Sequence, residues 1–415
     1  MTLSTRARLV ARVACTVVGA SLLASPAPVA LAVPGDLVGG VSVQEGSALA
    51  EISPEVTIPA GVLWTADGTR LWERNPDDER AMASATKIMT ALVVLERADL
   101  RADVSVTPTA ARTGEAGIDL VTGEVMTVEE LLRAMLVRSA NDAAVALAEH
   151  VAGDVKTFVG MMNAKAGELG LRHTSFANPH GLDAPGHHTS AADLATMAQI
   201  ALSDPRFAEI VAMPEVQVVY DSGKTRLFPN SNHLIASYSG ATGVKTGWTN
   251  DAGYCVVVSA TRSGVSLVAV VLGAKSEADR FVQAEALLDW GFEHYGYQQV
   301  STAEETVAVL PVTDYLDVTV RAEVAESLTL PVFDVWGPVT SDVDVIPDVS
   351  APVLAGERVG TLTIVQGDDV LAQVPIVAGD TVPVPGEREA REIWFVRLWR
   401  SIFGGTLIAE PAFFM

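Results

Sequence analysis

Ser84-Ala85-Thr86-Lys87 opens a run with helical spacing and sets a serine three positions before a lysine. That spacing puts both side chains on one helical face. At the first turn of a helix, free backbone N–H groups and the positive end of the dipole favour negative charge near the Ser84 oxygen. If Ile88, Met89 and their neighbours desolvate Lys87, its ammonium becomes costly and its pKa falls. A neutral amine could then take the serine proton, giving a nucleophile activated without histidine. An isolated Ser-x-x-Lys is better read as a capping serine beside a surface lysine, so the pair needs company.

Two further words follow in order. Ser139-Ala140-Asn141 places a hydroxyl and an amide two residues apart, and in an extended or irregular segment both can face one cleft. The hydroxyl could relay a proton between the lysine and a leaving amine. The amide could bind a substrate carbonyl and help hold Lys87. Asn141 also fits a helix N-cap, since a helical pattern begins at about Asp142. Lys245-Thr246-Gly247 then offers a point charge and a hydroxyl for a carboxylate, and a glycine beside which a docking chain can approach closely. Alone this last word also reads as a surface turn. The ordered triplet is specific.

The elements that must carry these words are legible in outline. Gly61–Thr65 and Thr69–Glu73 read as a hairpin around Asp67-Gly68. Ile88, Leu92 and Leu95 share one face of a helix after Ser84. Thr127-Val128-Glu129-Glu130 has the form of a capping box ahead of Leu131, Leu132 and Met135, and a third helix follows Asn141 through Ala143–Val151. Strand character returns after Gly247, with Tyr254–Thr261 and Val265–Gly273 forming a second hairpin and Asp279–His294 a closing helix. The expected class is α+β: an antiparallel sheet flanked by helices with an all-helical subdomain. Valine-rich runs broken by Pro, Gly and Asp then mark a small all-β domain. The chain ends in an amphipathic helix. The corresponding boundaries are a signal peptide at 1–32, a flexible leader at 33–54, a principal domain at 55–297, the β domain at 298–386 and the tail at 387–415.

At 415 residues, two domains are the default. A formal charge of −23 excludes nucleic acid as a partner, because no basic stripe is present to neutralise phosphates. Arg6, Arg8 and Arg12, the apolar stretch Val13–Ala24 and the small residues Ala30 and Ala32 read as a secretory signal. Its removal would take the charge from −23 to −26 and leave Cys255 as the single cysteine, with no partner for an internal disulfide. Cys255 lies in an apolar run and reads as core. His173, His180, His187 and His188 cluster in a Gly/Pro-rich loop without ligand spacing, so no metal site is assigned. In the tail, Phe395, Leu398, Trp399, Ile402 and Phe403 share a helical face with Arg397 and Arg400 turned away. The run falls short of the ~20 apolar residues of a spanning helix. An in-plane anchor at the outer face of the cytoplasmic membrane is expected.

The motifs together resemble the D-alanyl-D-alanine carboxypeptidases, the low-molecular-mass penicillin-binding proteins with a β-lactamase-like fold. The resemblance rests on Met82–Ala91, Ser139–Ala144, Asn178-Pro179-His180-Gly181-Leu182 and Gly243–Thr249. It covers about residues 55–295 well and continues loosely into the β domain and tail. It implies an acyl-enzyme serine at Ser84, a base at Lys87 and a proton relay at Ser139. Asn141, Lys245, Thr246, Gly247 and Trp248 would bind substrate, with Ser84 and Trp248 giving backbone N–H groups to the oxyanion. The implied substrate is a peptidoglycan stem pentapeptide ending in D-Ala-D-Ala, β-lactams would acylate Ser84, and no metal or organic cofactor is implied. An exported enzyme at the cell wall follows. One departure is the segment His188–Asp193, which lacks the arginine of the family's His-Tyr-Ser-Thr-Ala-Arg-Asp and bears on local packing. A D,D-endopeptidase, a β-lactamase using a carboxylate such as Glu115 or Glu124, and a non-enzymatic penicillin-binding scaffold stand as alternatives.

Overall fold

A computed structural model of the chain describes residues 35–403, apart from the side chains of Arg400 and Phe403. The expected signal segment and the end of the tail beyond Phe403 lie outside the described residues. Two compact units divide at Gly296 and Tyr297.

In the first unit, seven antiparallel strands run in the order Val41–Ser42, Leu37–Val38, Arg70–Arg74, Ala60–Thr65, Val265–Ala274, Gly253–Arg262 and Ala241–Thr249. Both expected hairpins form, with Trp64 opposite Arg70 and Arg262 opposite Val265. Side chains alternate across the sheet as the pleat requires. Val62, Trp64, Val268, Val270 and Leu272 join the main apolar core. Leu63 and Leu267 face the helix Glu277–His294 at Gly291, where an added Cβ would stand 2.7 Å from each leucine side chain.

Residues 33–54 do not form a flexible leader in their described part. Leu37 and Val38 pair with Glu73 and Trp72, and a short helix spans Ala48–Ile52. Asp36 and Arg74 are both buried and form two parallel hydrogen bonds of 2.7 Å. Removing one partner of such a pair costs about 3–5 kcal/mol, because the other charge stays buried. The leader's Gly and Ser content concealed this ion pair.

The helix Lys87–Arg97 lies inside the core. Ile88 and Leu95 are buried as expected, but so are Met89, Val93 and Val94, whereas Leu92 is only half-buried. A helix buried nearly all round needs no narrow apolar stripe. The capping box at Thr127 and Glu130 is present, and its helix runs on through a π-helical turn at Ala134–Arg138. Ser139 then takes φ +70 and ends that turn, and the next helix is Asn141–Ala152.

The second unit holds an antiparallel sheet in the order Thr306–Pro311, Thr319–Val324, Asp369–Ala378, Arg358–Gln366 and Val339–Val345. Val320, Ala322, Ile364 and Ile376 form the centre of its core. The chain continues into the helix Glu387–Phe403.

Candidate active site

Ser84 sits on a tight turn ahead of its helix, not in the helix itself. Ala83–Thr86 form a 3₁₀ turn and the α-helix starts at Lys87. Ala83 adopts φ +47, a region that residues with a side chain seldom enter. Its surroundings hold it there. The Thr86 hydroxyl donates to Ala83 O at 2.8 Å, and His187 Nε2 lies 2.8 Å from that hydroxyl. Because His187 Nδ1 accepts the Ala177 N–H, Nε2 carries the ring proton and donates to Thr86. Burial, with the nearby His188, pushes the His187 pKa down to about 4, so the ring is neutral near pH 7. Gly181 presses on the same carbonyl. A Cβ there would stand 1.9 Å from Ala83 O, and Gly181 has φ +97, so only glycine fits.

Lys87 is fully buried, and its Nζ meets three acceptors: Ser84 Oγ at 2.9 Å, Asn141 Oδ1 at 2.7 Å and His180 O at 2.6 Å. Burial, reinforced by the Lys245 cation and opposed by Asp142, drives its pKa well below the ordinary lysine value. Two of the acceptors are carbonyl oxygens, which can only accept. They can absorb both N–H groups of a neutral amine. The remaining lone pair then points at Ser84 Oγ, the geometry required to receive the hydroxyl proton.

Asn141 is not a cap in the usual sense. Ala140 occupies the N-cap position, and the Asn141 side chain bonds Lys87 through Oδ1 and Gly114 O through Nδ2 at 3.1 Å. The next residue, Asp142, is buried and fastens the facing segment. Its carboxylate accepts the N–H groups of Ile118, Leu120 and Ala143 at 2.9–3.1 Å. This anchors residues 114–120, whose Gly114 and Ala116 carbonyls accept from Asn141. Ser139 is 8% exposed and precedes Asn141 by two residues on this same turn. Its hydroxyl makes no hydrogen bond to another described residue.

Lys245-Thr246-Gly247 lies within a strand, correcting both the expected start of strand character after Gly247 and the surface-turn alternative. The strand Ala241–Thr249 ends the sheet order, so one edge is open for another chain. It packs directly on the Ser84 turn, since a Cβ on Gly247 would come within 2.8 Å of Ser84 N. Lys245 is buried and donates to Thr246 O at 3.0 Å. Burial, with Arg280 and Arg138 nearby, pushes its pKa down to about 7. Arg280 also donates to Gly247 O at 3.1 Å, which pins the strand from behind. Trp248 exposes 48% of its surface and lies tilted against Tyr254, with ring centroids 5.9 Å apart.

The structure therefore joins Ser84, Lys87 and Asn141 by hydrogen bonds and sets Gly247 against Ser84. His180, Asp142 and His187 were not singled out from sequence for these contacts. His180 acts here through a backbone carbonyl, which leaves no side-chain signature, and its ring pKa is pushed down to about 3 by burial and then by Lys87. Of the carboxylates considered for a deacylating water, Glu124 instead accepts the backbone N–H of Val121 at 3.2 Å. Cys255 is buried, and burial raises its thiol pKa to about 11. Among the described residues, no cluster of three or more His, Cys, Asp or Glu is placed to hold a metal ion.

The D-alanyl-D-alanine carboxypeptidase family model matches residues 53–276. The chain belongs to that family. The model for the C-terminal domain of penicillin-binding protein 5 matches residues 295–384. A D-alanyl-D-alanine carboxypeptidase of Bacillus subtilis is 35% identical over 353 residues, covering 83% of this chain and 90% of that protein. One from Escherichia coli is 33% identical, covering 84% and 88%. Among solved structures, the D-alanyl-D-alanine carboxypeptidase of Francisella tularensis superposes with a TM-score of 0.61 at 25% identity, covering 82% of this chain and 98% of that one. The expected α+β, penicillin-binding fold with its C-terminal β domain is thereby established.

Proposed function

We propose that this chain removes the terminal D-alanine of peptidoglycan pentapeptides through an acyl-enzyme on Ser84. The observation that carries this is the Lys87 amine, buried and aimed at Ser84 Oγ by two carbonyl oxygens. The substrate docks along the open edge of the Lys245 strand with its carboxylate on Lys245 and Thr246. Lys87 takes the Ser84 proton as the oxygen attacks the penultimate carbonyl. The Ser84 and Trp248 backbone N–H groups receive the oxyanion, at about 3 kcal/mol per donor by analogy with other acyl transfer. The second N–H of Asn141 Nδ2 is available to the substrate amide. Ser139 relays the proton from Lys87 to the leaving amine, D-alanine departs, and water hydrolyses the ester to regenerate Ser84. A β-lactam acylates Ser84 by the same first step.

Two assays test this on the purified chain: release of D-alanine from diacetyl-Lys-D-Ala-D-Ala, and the mass of the protein after penicillin treatment. D-alanine release with a single penicillin adduct at Ser84 is expected. A wild-type chain that binds penicillin without releasing D-alanine would favour the scaffold reading.

The pH dependence has a definite sign. Lys245, with its pKa pushed to about 7, holds a carboxylate only while charged, so kcat/KM falls as pH rises through about 7. Bound carboxylate raises that pKa, so kcat declines later. Lys245→Arg, whose guanidinium stays charged, is expected to abolish the alkaline fall in kcat/KM while lowering its plateau, because its planar fork does not replace a point charge. An unchanged alkaline limb in that variant would exclude Lys245 as its source.

Export and membrane attachment belong to the same reading. The N-terminal run with Arg6, Arg8 and Arg12 supports secretion to the compartment where peptidoglycan lies. Trp394 and Phe395 are 64% and 56% exposed, and Leu398, Trp399 and Ile402 are also exposed on the helix Glu387–Phe403. No helix of the described residues is long and apolar enough to cross a membrane. An in-plane contact suits this pattern. The full chain is expected to sediment with phosphatidylglycerol–phosphatidylethanolamine vesicles, and Phe395→Ser with Trp399→Ser to leave it in the supernatant. Equal sedimentation of both proteins would refute the anchor.

A further inference from the structure

Asn230-Ser231-Asn232 is a segment fastened on both sides of one hydroxyl. Asn230 is buried, donates through Nδ2 to Val211 O at 3.2 Å and Met213 O at 2.8 Å, and accepts the Asn232 N–H at 2.8 Å. Asn232 is 1% exposed and donates to Gly243 O at 2.9 Å, which ties the segment to the Lys245 strand. Between them, the Ser231 N–H donates to Val137 O at 3.0 Å, two residues before Ser139. Ser231 Oγ is then left half-buried and accepts the Thr246 hydroxyl at 2.8 Å.

We propose that Ser231 is a positioning residue of the carboxylate subsite, setting the Thr246 hydroxyl for an anionic substrate terminus. The reasoning rests on the carboxylate role given above to Lys245 and Thr246. A hydroxyl has one proton to give and two lone pairs. In the free protein Thr246 spends that proton on Ser231. An ionised carboxylate offers only acceptors, so Thr246 must turn its proton to the ligand when one binds. Ser231 can reverse its role and donate its own proton to the Thr246 oxygen, which keeps both hydroxyls satisfied and polarises the Thr246 O–H toward the anion. Two buried asparagines hold the Ser231 backbone, so this partner is present before the ligand arrives. The recognised chemistry is an ionised α-carboxylate, on a peptide ending in a free D-residue or on a β-lactam.

The test compares diacetyl-Lys-D-Ala-D-Ala with its C-terminal amide in the wild-type chain, Ser231→Ala and Ser231→Thr. Loss of the Ser231–Thr246 hydrogen bond, which leaves the Thr246 hydroxyl unpolarised and unoriented, is worth up to about tenfold. Ser231→Ala is expected to reduce the acid-to-amide preference in kcat/KM about tenfold, carried by a higher KM for the acid, while Ser231→Thr retains the preference. A general packing defect would lower both substrates together, and either that result or an unchanged preference overturns the proposal. If the wild type releases no D-alanine, the carboxypeptidase reading fails separately. Ser231 is then judged from Ser84 acylation by benzylpenicillin and its methyl ester: a roughly tenfold loss confined to the free acid supports it, and an equal loss on both refutes it.

Discussion

Ser84→Ala is expected to abolish penicillin labelling and to lower D-alanine release by about 10⁶-fold, the scale seen when a serine nucleophile is removed. The variant should fold normally. Ser84 Oγ has one described bond, to Lys87, and the turn around it is held by Ala83, Thr86, His187 and Gly181 instead. Thermal unfolding within about 2 °C of wild type is therefore expected, since loss of a single hydroxyl contact costs little. Intact mass after penicillin and a melting curve check both parts. Residual labelling elsewhere would move the nucleophile, and a large drop in Tm would make the activity loss uninformative.

Lys87→Met should lower Ser84 acylation by about 10²- to 10⁴-fold, the usual contribution of a general base. Methionine fills similar volume without charge, so the core of that helix is retained. Lys87→Arg should be comparably inactive, because a guanidinium keeps its proton and offers no lone pair to Ser84. The pair of variants separates basicity from charge. The acid limb of the wild-type pH profile follows from the depressed Lys87 pKa: the competent form is the neutral amine, so acylation falls as pH drops through that value, while the alkaline limb belongs to Lys245. Stopped-flow acylation across acidic and neutral pH measures the acid limb. Acylation by Lys87→Arg at wild-type rate would dismiss the amine as base.

Much of the site is legible in the amino-acid sequence. Ser84 with Lys87 needed only the helical repeat, and the Thr127 capping box and both hairpins needed only local signals of a few residues. Lys245-Thr246-Gly247 is legible as a motif but its place inside a strand is not, because lysine and glycine are poor strand formers and the strand owes its place to pairing with Gly253–Arg262. Asn141 showed the same limit. Its cap-like position was legible, yet its side chain serves Lys87, 54 residues away in the chain.

The amino-acid sequence by itself determined which chemical groups are present, in what order, and on which local elements, since hydrophobic period and cap residues act within a turn or two. Tertiary structure alone decided the reactivity of those groups. Burying Lys87 with the His180 carbonyl, resting Gly181 on Ala83 O and setting Ser231 beside Thr246 each join segments more than a dozen residues apart. Desolvation and close contact depend on what surrounds an atom in space, and no run of neighbours along the chain supplies that.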